Sequence, residues 1–113
     1  MTRIYIAGPI TGRPDLNRAA FAAAATQLRK LGHDVVNPHD IPPRQHSGPC
    51  PASYAVNVED GHSAACYLRP CMAALLTCDR VYMLLGWTDS EGACKEHELA
   101  GWAGIPVTYE EDE

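Results

Sequence analysis

Glu96 stands out by the residues that share its helix face. With Ala93, Ala100 and Ala103 it falls at i, i+3, i+7 and i+10, which is one side of a helix. The other members of that face are small and apolar, so Glu96 is aimed at the body of the protein. Glu98 sits about 200° round the helix from Glu96 by the 3.6-residue repeat, and so points to solvent. A carboxylate on an apolar face is costly unless it is paired or put to use. The stretch Gly86 to Gly92 runs into this helix, and its Gly86, Ser90 and Gly92 free backbone N–H groups to face a ligand. A helix start after a strand is where α/β folds hold anions and small polar substrates. Ser90 is also placed to cap the helix, a role compatible with ligand contact.

The elements that position this stretch follow from the pattern along the chain. Arg3 to Ala7 is a short apolar run rich in strand formers, ended by the turn residues Gly8 to Pro14. Asp15 is expected to cap a helix whose stripe is Leu16, Ala20, Ala24, Leu28 and Leu31, closed by Gly32. The Gly8–Arg13 loop is neither GxGxxG nor a phosphate-binding GK[ST] loop. Asp34 to Pro38 reads as a second strand. His39 to Ala65 is irregular and rich in Pro, Gly, His and Ser, and is expected to be a lid over a pocket. Tyr67 to Thr77 reads as a helix with Pro70 in its first turn and Leu68, Met72, Leu75 and Leu76 buried. Arg80 to Leu85 is a nearly continuous apolar strand, as a central parallel strand should be. Glu91 to Ala103 is the helix of Glu96, closed by Gly104, and Ile105 to Tyr109 is the last strand. Strands and helices alternate, which predicts an α/β fold: a flavodoxin-like parallel sheet of four strands, order 2-1-3-4, helices on both faces. Ligands then bind at the carboxyl ends of strands 1 and 3.

Composition sets the outer limits. The chain has 113 residues, enough for one domain with one real core. Its net charge of −5 argues against a nucleic-acid polymer as partner, though a free nucleotide in a pocket is compatible. No apolar run approaches the roughly 18 residues of a membrane span, and the first residues lack a secretory pattern. A cytoplasmic protein is expected. Its 5 cysteines fit no disulfide framework and are expected as thiols. Glu110 to Glu113 reads as a solvated acidic tail. His39, His46, Cys50, His62, Cys66 and Cys71 form no zinc-type spacing, so no metal is expected. Trp102 shares the outer helix face with Glu91, Lys95 and Glu98, and packing against a second copy of the chain is expected there.

A resemblance now becomes visible. Ile4-Tyr5-Ile6-Ala7-Gly8-Pro9-Ile10-Thr11-Gly12 resembles the opening strand and loop of nucleoside 2-deoxyribosyltransferases and of 2'-deoxynucleoside 5'-monophosphate N-hydrolases. Asp79, then Ser90-x-Gly92-Ala93-x-x-Glu96-x-x-x-Ala100, is similar to their second motif. With Gly86-Trp87 ahead of it, the stretch resembles a phage- and prophage-associated branch of small deoxyribosyltransferase-like domains. The resemblance covers nearly the whole chain except His39 to Ala65.

The resemblance implies that Glu96 is a nucleophile attacking C1' of a 2'-deoxyribosyl group, and that Tyr5 hydrogen-bonds it. Gly8, Pro9 and Ile10 would line the substrate site with Asp89. Ser90 and Gly92 would hold the sugar 5' end, and Arg13 would contact a phosphate. It implies no metal or organic cofactor and a homo-oligomer, a dimer or a multiple of one. One position departs from the family: where an Asp commonly handles the proton on the leaving base, this chain has Cys71. A thiol is a poorer proton donor to a base at neutral pH. Asp89 and His62 are the candidates to take that role. Two readings therefore stand side by side. Glu96 with Tyr5 favours an enzyme acting on the N-glycosidic bond. Cys71 favours a catalytically silent nucleotide-binding or sequestering module of phage origin.

Overall fold

The computed structural model describes residues 2–10, 13–42 and 64–110. Strands β1 (Arg3–Ala7), β2 (Asp34–Val36), β3 (Arg80–Met83) and β4 (Val107–Tyr109) alternate with helices α1 (Arg18–Lys30), α2 (Ala64–Leu75) and α3 (Glu91–Ala103). All strand pairs are parallel, and the sheet order is β2-β1-β3-β4, as the alternation predicts. Among the described residues no helix is long and apolar enough to cross a membrane.

Pleating splits the core in two. Tyr5 is in register with Val36 on one side and Val81 on the other, and Val81 with Val107. This row faces α2 and α3, where Tyr5, Ala7, Val81 and Met83 pack with Cys71, Leu75, Cys78, Ala93 and Ala100. Residues of opposite parity face α1: Ile6, Val35 and Leu84 pack with Phe21, Ala24 and Ala25. Helices thus cover both faces, and the strand interiors are apolar on both sides.

Several local expectations are corrected. Asp15 does not cap α1. It lies with Leu16 and Asn17 in a left-handed turn, at φ 50°, 54° and 61°, and Asn17 is the residue before the helix. The Asn17 side chain donates to the Pro9 carbonyl at 2.9 Å, tying the β1 exit to the helix start. The buried stripe of α1 is Phe21, Ala24 and Ala25, while Leu31 lies beyond the last turn and is 70% exposed. Helix α2 begins at Ala64, so Pro70 is in its interior and removes one N–H from the ladder. Its buried residues are Cys66, Cys71 and Leu75, and Leu76 is exposed just past its end. Both ends of the expected irregular stretch belong to regular elements: Pro38–Asp40 forms a 3-10 turn, and α2 begins at Ala64. Positions 43–63, including the expected lid and His62, lie outside the described residues. Glu110 is not simply solvated: its N–H donates to the Met83 carbonyl at 2.7 Å, and its Oε1 accepts from the Leu85 N–H at 2.9 Å.

Candidate active site

Helix α3 has well-formed ends. Ser90 Oγ accepts the Ala93 N–H at 3.2 Å, the cap that its sequence position predicts. Gly104 closes the helix in the left-handed region at φ 72°, its N–H reaching the Ala100 and Gly101 carbonyls. Between these ends Ala93, Glu96 and Ala100 are buried, and Glu91, Lys95 and Glu98 are exposed. Ala103 departs from the expected face and is exposed. Gly92, in the first turn, faces Leu68 of α2 with room for a Cβ at 3.6 Å.

Glu96 is 6% exposed and accepts the Tyr5 hydroxyl on Oε2 at 2.5 Å, the two residues lying 91 positions apart in the chain. Tyr5 itself is fully buried in the middle of β1. Burial lifts the Glu96 carboxyl to about 7, opposed by the Tyr5 hydrogen bond that favours its charged form. Burial, and then the negative field of Glu96, hold the Tyr5 phenol far above its ordinary range. Cys71, on α2, lies in the same buried cluster as Tyr5. Burial and Glu96 push its thiol up to about 11. Helix, strand and helix therefore converge on one carboxylate, one phenol and one neutral thiol.

The second cluster sits where the β1 and β3 exits meet. The Arg13 guanidinium pairs with Asp89 at 3.7 Å, joining the loop after β1 to the loop before α3. Gly86 is required beneath it, for φ is +84° and a Cβ there would come within 2.8 Å of Arg13 Nη2. Gly8 is required for closeness of another kind, since a Cβ would meet Leu84 at 2.8 Å. Pro9 is buried, and Ile10 packs at the margin of the α1-side core.

Among the described residues no group of three or more His, Cys, Asp or Glu is placed to hold a metal ion. His39 instead packs edge-on against Phe21, ring centroids 4.7 Å apart. Sequence reading missed a brace beside the site. Trp87 stacks on His97 at 4.4 Å, and His97 Nε2 shares a hydrogen bond with the Tyr109 hydroxyl at 2.8 Å. These three side chains come from the β3–α3 loop, from α3 and from β4. No local spacing in the sequence announces such a contact.

Comparison with known proteins bears on the fold and the family. A family described as a domain of unknown function (DUF4406) matches residues 2–109. The chain belongs to that family. No curated protein matches it. Among solved structures, a conserved protein from Enterococcus faecalis V583 is similar, with a TM-score of 0.62 at 25% identity over 96% of this chain. The DUF4406 chain spans 62% of the length of that protein. The likeness supports the parallel sheet and its covering helices.

Proposed function

We propose that this chain is a nucleoside 2-deoxyribosyltransferase-like enzyme, a deoxyribosyltransferase or N-glycosidase acting on a deoxynucleoside or its 5'-monophosphate. The observation that carries this reading is the buried Glu96 carboxylate held at 2.5 Å by Tyr5. Cleavage of an N-glycosidic bond passes through an oxocarbenium-like state, which a close carboxylate traps. In the proposed reaction a Glu96 oxygen forms a bond to C1' as the C1'–N bond breaks. That electron pair leaves with the base, which takes up a proton from solvent. A second base or water then attacks C1', and the ester bond to Glu96 breaks to restore the carboxylate. Tyr5 orients the carboxylate and withdraws charge from it. Arg13, Ser90 and Gly92 are the proposed contacts of the sugar 5' end. This chemistry needs neither metal nor organic cofactor.

Incubation with each deoxynucleoside and each monophosphate, followed by chromatography, tests the reading. Release or exchange of base supports it. A second reading rests on Cys71, whose thiol at about 11 stays protonated and is a weak acid toward a leaving base. On that reading the chain is a nucleotide-binding module, and the same incubation returns tight binding without turnover.

A further inference from the structure

The loop between β3 and α3 is clasped from two elements at once. On the β4 side, Glu110 Oε1 accepts the Leu85 N–H at 2.9 Å. On the α3 side, Cys94 Sγ lies 3.6 Å from the carbonyl oxygens of both Trp87 and Thr88. One turn further along the same side of α3, the His97 ring lies flat on Trp87, their planes 15° apart. The edge of that ring meets the Tyr109 hydroxyl through Nε2 at 2.8 Å. A hydrogen bond at a ring nitrogen lies in the ring plane, and the torsion that turns an imidazole about its Cβ–Cγ bond is otherwise soft. Tyr109 therefore fixes the plane on which Trp87 rests. Trp87 opens the 3-10 turn Trp87–Asp89, whose last residue pairs with Arg13 and whose successor, Ser90, caps α3. Glu96 is the residue before His97, so loop and carboxylate are set from neighbouring positions on one helix.

We propose that His97 is a positioning residue for this loop: the Tyr109 hydroxyl orients His97, His97 carries Trp87, and Trp87 sets where Asp89 and Ser90 stand relative to Glu96. The direction of each side chain divides the work. Glu96 turns to Tyr5 on the central strand, while His97, about 100° further round the helix, turns to the edge strand β4. The first places the carboxylate, and the second places the loop at the start of the helix. That loop meets a substrate 5' end only on the reading proposed above, and the catalytic meaning of the brace rests on that reading. The brace itself is testable without any substrate.

The sequence holds two tryptophans, so Trp102→Phe leaves Trp87 as the only indole. Time-resolved fluorescence anisotropy of that background protein then follows Trp87 alone. Its decay is expected to be that of the whole molecule, because the indole is held. His97→Leu in the same background removes both stack and hydrogen bond, and a fast sub-nanosecond component is expected to appear. Tyr109→Phe keeps every ring and removes only the hydroxyl, and it should show that component too. An unchanged anisotropy in Tyr109→Phe overturns the proposal, and this mild variant at a half-exposed position is decisive should His97→Leu fail to fold. Kinetics give a second measurement. With a deoxynucleoside or monophosphate that the wild type turns over, KM should rise severalfold in Tyr109→Phe with kcat unchanged. A fall in kcat at unchanged KM puts the damage at Glu96 and overturns the loop assignment. Absence of base release in the wild type would sink the enzymatic reading alone, and the anisotropy would still decide the brace.

Discussion

The Tyr5 hydroxyl and the Glu96 carboxylate meet at 2.5 Å between the central strand and the last helix. A strand residue that is fully buried donates its one hydroxyl hydrogen bond to a helix residue that is nearly so. Burial of the Glu96 carboxyl, which outweighs the opposing Tyr5 hydrogen bond, makes stability depend on pH. Glu96 ionises at about 7 in the fold against an ordinary 4.5, so the folded state holds its proton more tightly. Its contribution is complete below the unfolded value and is lost as pH rises through about 7. Relative to Glu96→Gln, the wild type should therefore lose roughly 2–4 kcal/mol between about pH 5 and 8. Urea unfolding of both proteins at the two pH values measures this. A gap independent of pH contradicts the burial argument. Base release, which needs the carboxylate ionised, should rise over the same interval.

Glu96→Ala should abolish base release, and Glu98→Ala should leave it nearly intact. The two carboxylates are close neighbours on one helix, so the contrast tests geometry and not acidity. Glu98 faces solvent and approaches Lys95 at 4.0 Å, a pair of surface charges worth little. Loss of Glu98 should change stability by about 0.5 kcal/mol or less. Loss of a nucleophile typically costs several orders of magnitude in rate. Equal losses in the two variants refute the assignment of faces.

Arg13→Gln should weaken a deoxynucleoside 5'-monophosphate more than the matching deoxynucleoside. Arg13 stands between the loops that follow β1 and β3, with Asp89 as its exposed partner. A phosphate near the start of α3 would replace that partner. KM for the monophosphate is expected to rise roughly tenfold, the cost of one charge-assisted contact, with the nucleoside value unchanged. Gly86→Ala should mimic the loss, because its Cβ displaces the guanidinium and its backbone is left-handed. Parallel changes for both substrates would remove Arg13 from the phosphate.

Cys71→Asp should raise the rate of base release. Two carboxyl groups in one buried site share a proton at neutral pH, since both cannot ionise cheaply. The retained proton is the one a leaving base requires. The rate profile of the variant should become bell-shaped, with two apparent ionisations in place of one. A slower enzyme with an intact fold contradicts the idea that an acid at position 71 serves the leaving base.

We propose that a second copy of the chain covers Trp102, which is 85% exposed. Lys95 and Glu98 flank it with opposite charges, so a twofold axis sets each against its counterpart. Sedimentation at tens of micromolar should show a dimer or a multiple of one, and Trp102→Glu should shift it toward monomer. A wild type that sediments at 12.3 kDa alone contradicts the proposal.

The sheet order and the orientation of Glu96 were legible because they rest on long-lived patterns: alternation of strands and helices, and one charged residue on a small apolar helix face. The start of α1 was not. Asp15 looks like a cap by type, but the chain turns left-handed there, and Asn17 spends its side chain on Pro9. Pro70 read as a first-turn proline because prolines favour that position, whereas buried Cys66 anchors a turn ahead of it. Cys71 was visible only as a missing acid. Its neighbours are set by packing of α2 on α3 over Tyr5, which no spacing along the chain encodes. The Trp87, His97 and Tyr109 brace escaped for the same reason.

The sheet also works as a partition. Tyr5 and Cys71 lie in the cluster on the α2 and α3 side, while on the other side Phe21 packs with Ile6, Val35 and Leu84 and against the edge of the His39 ring. Substitutions on the Phe21 side can change how firmly the fold holds without passing an electrostatic change to Glu96. The two faces are thus open to separate redesign: one for durability, the other for chemistry.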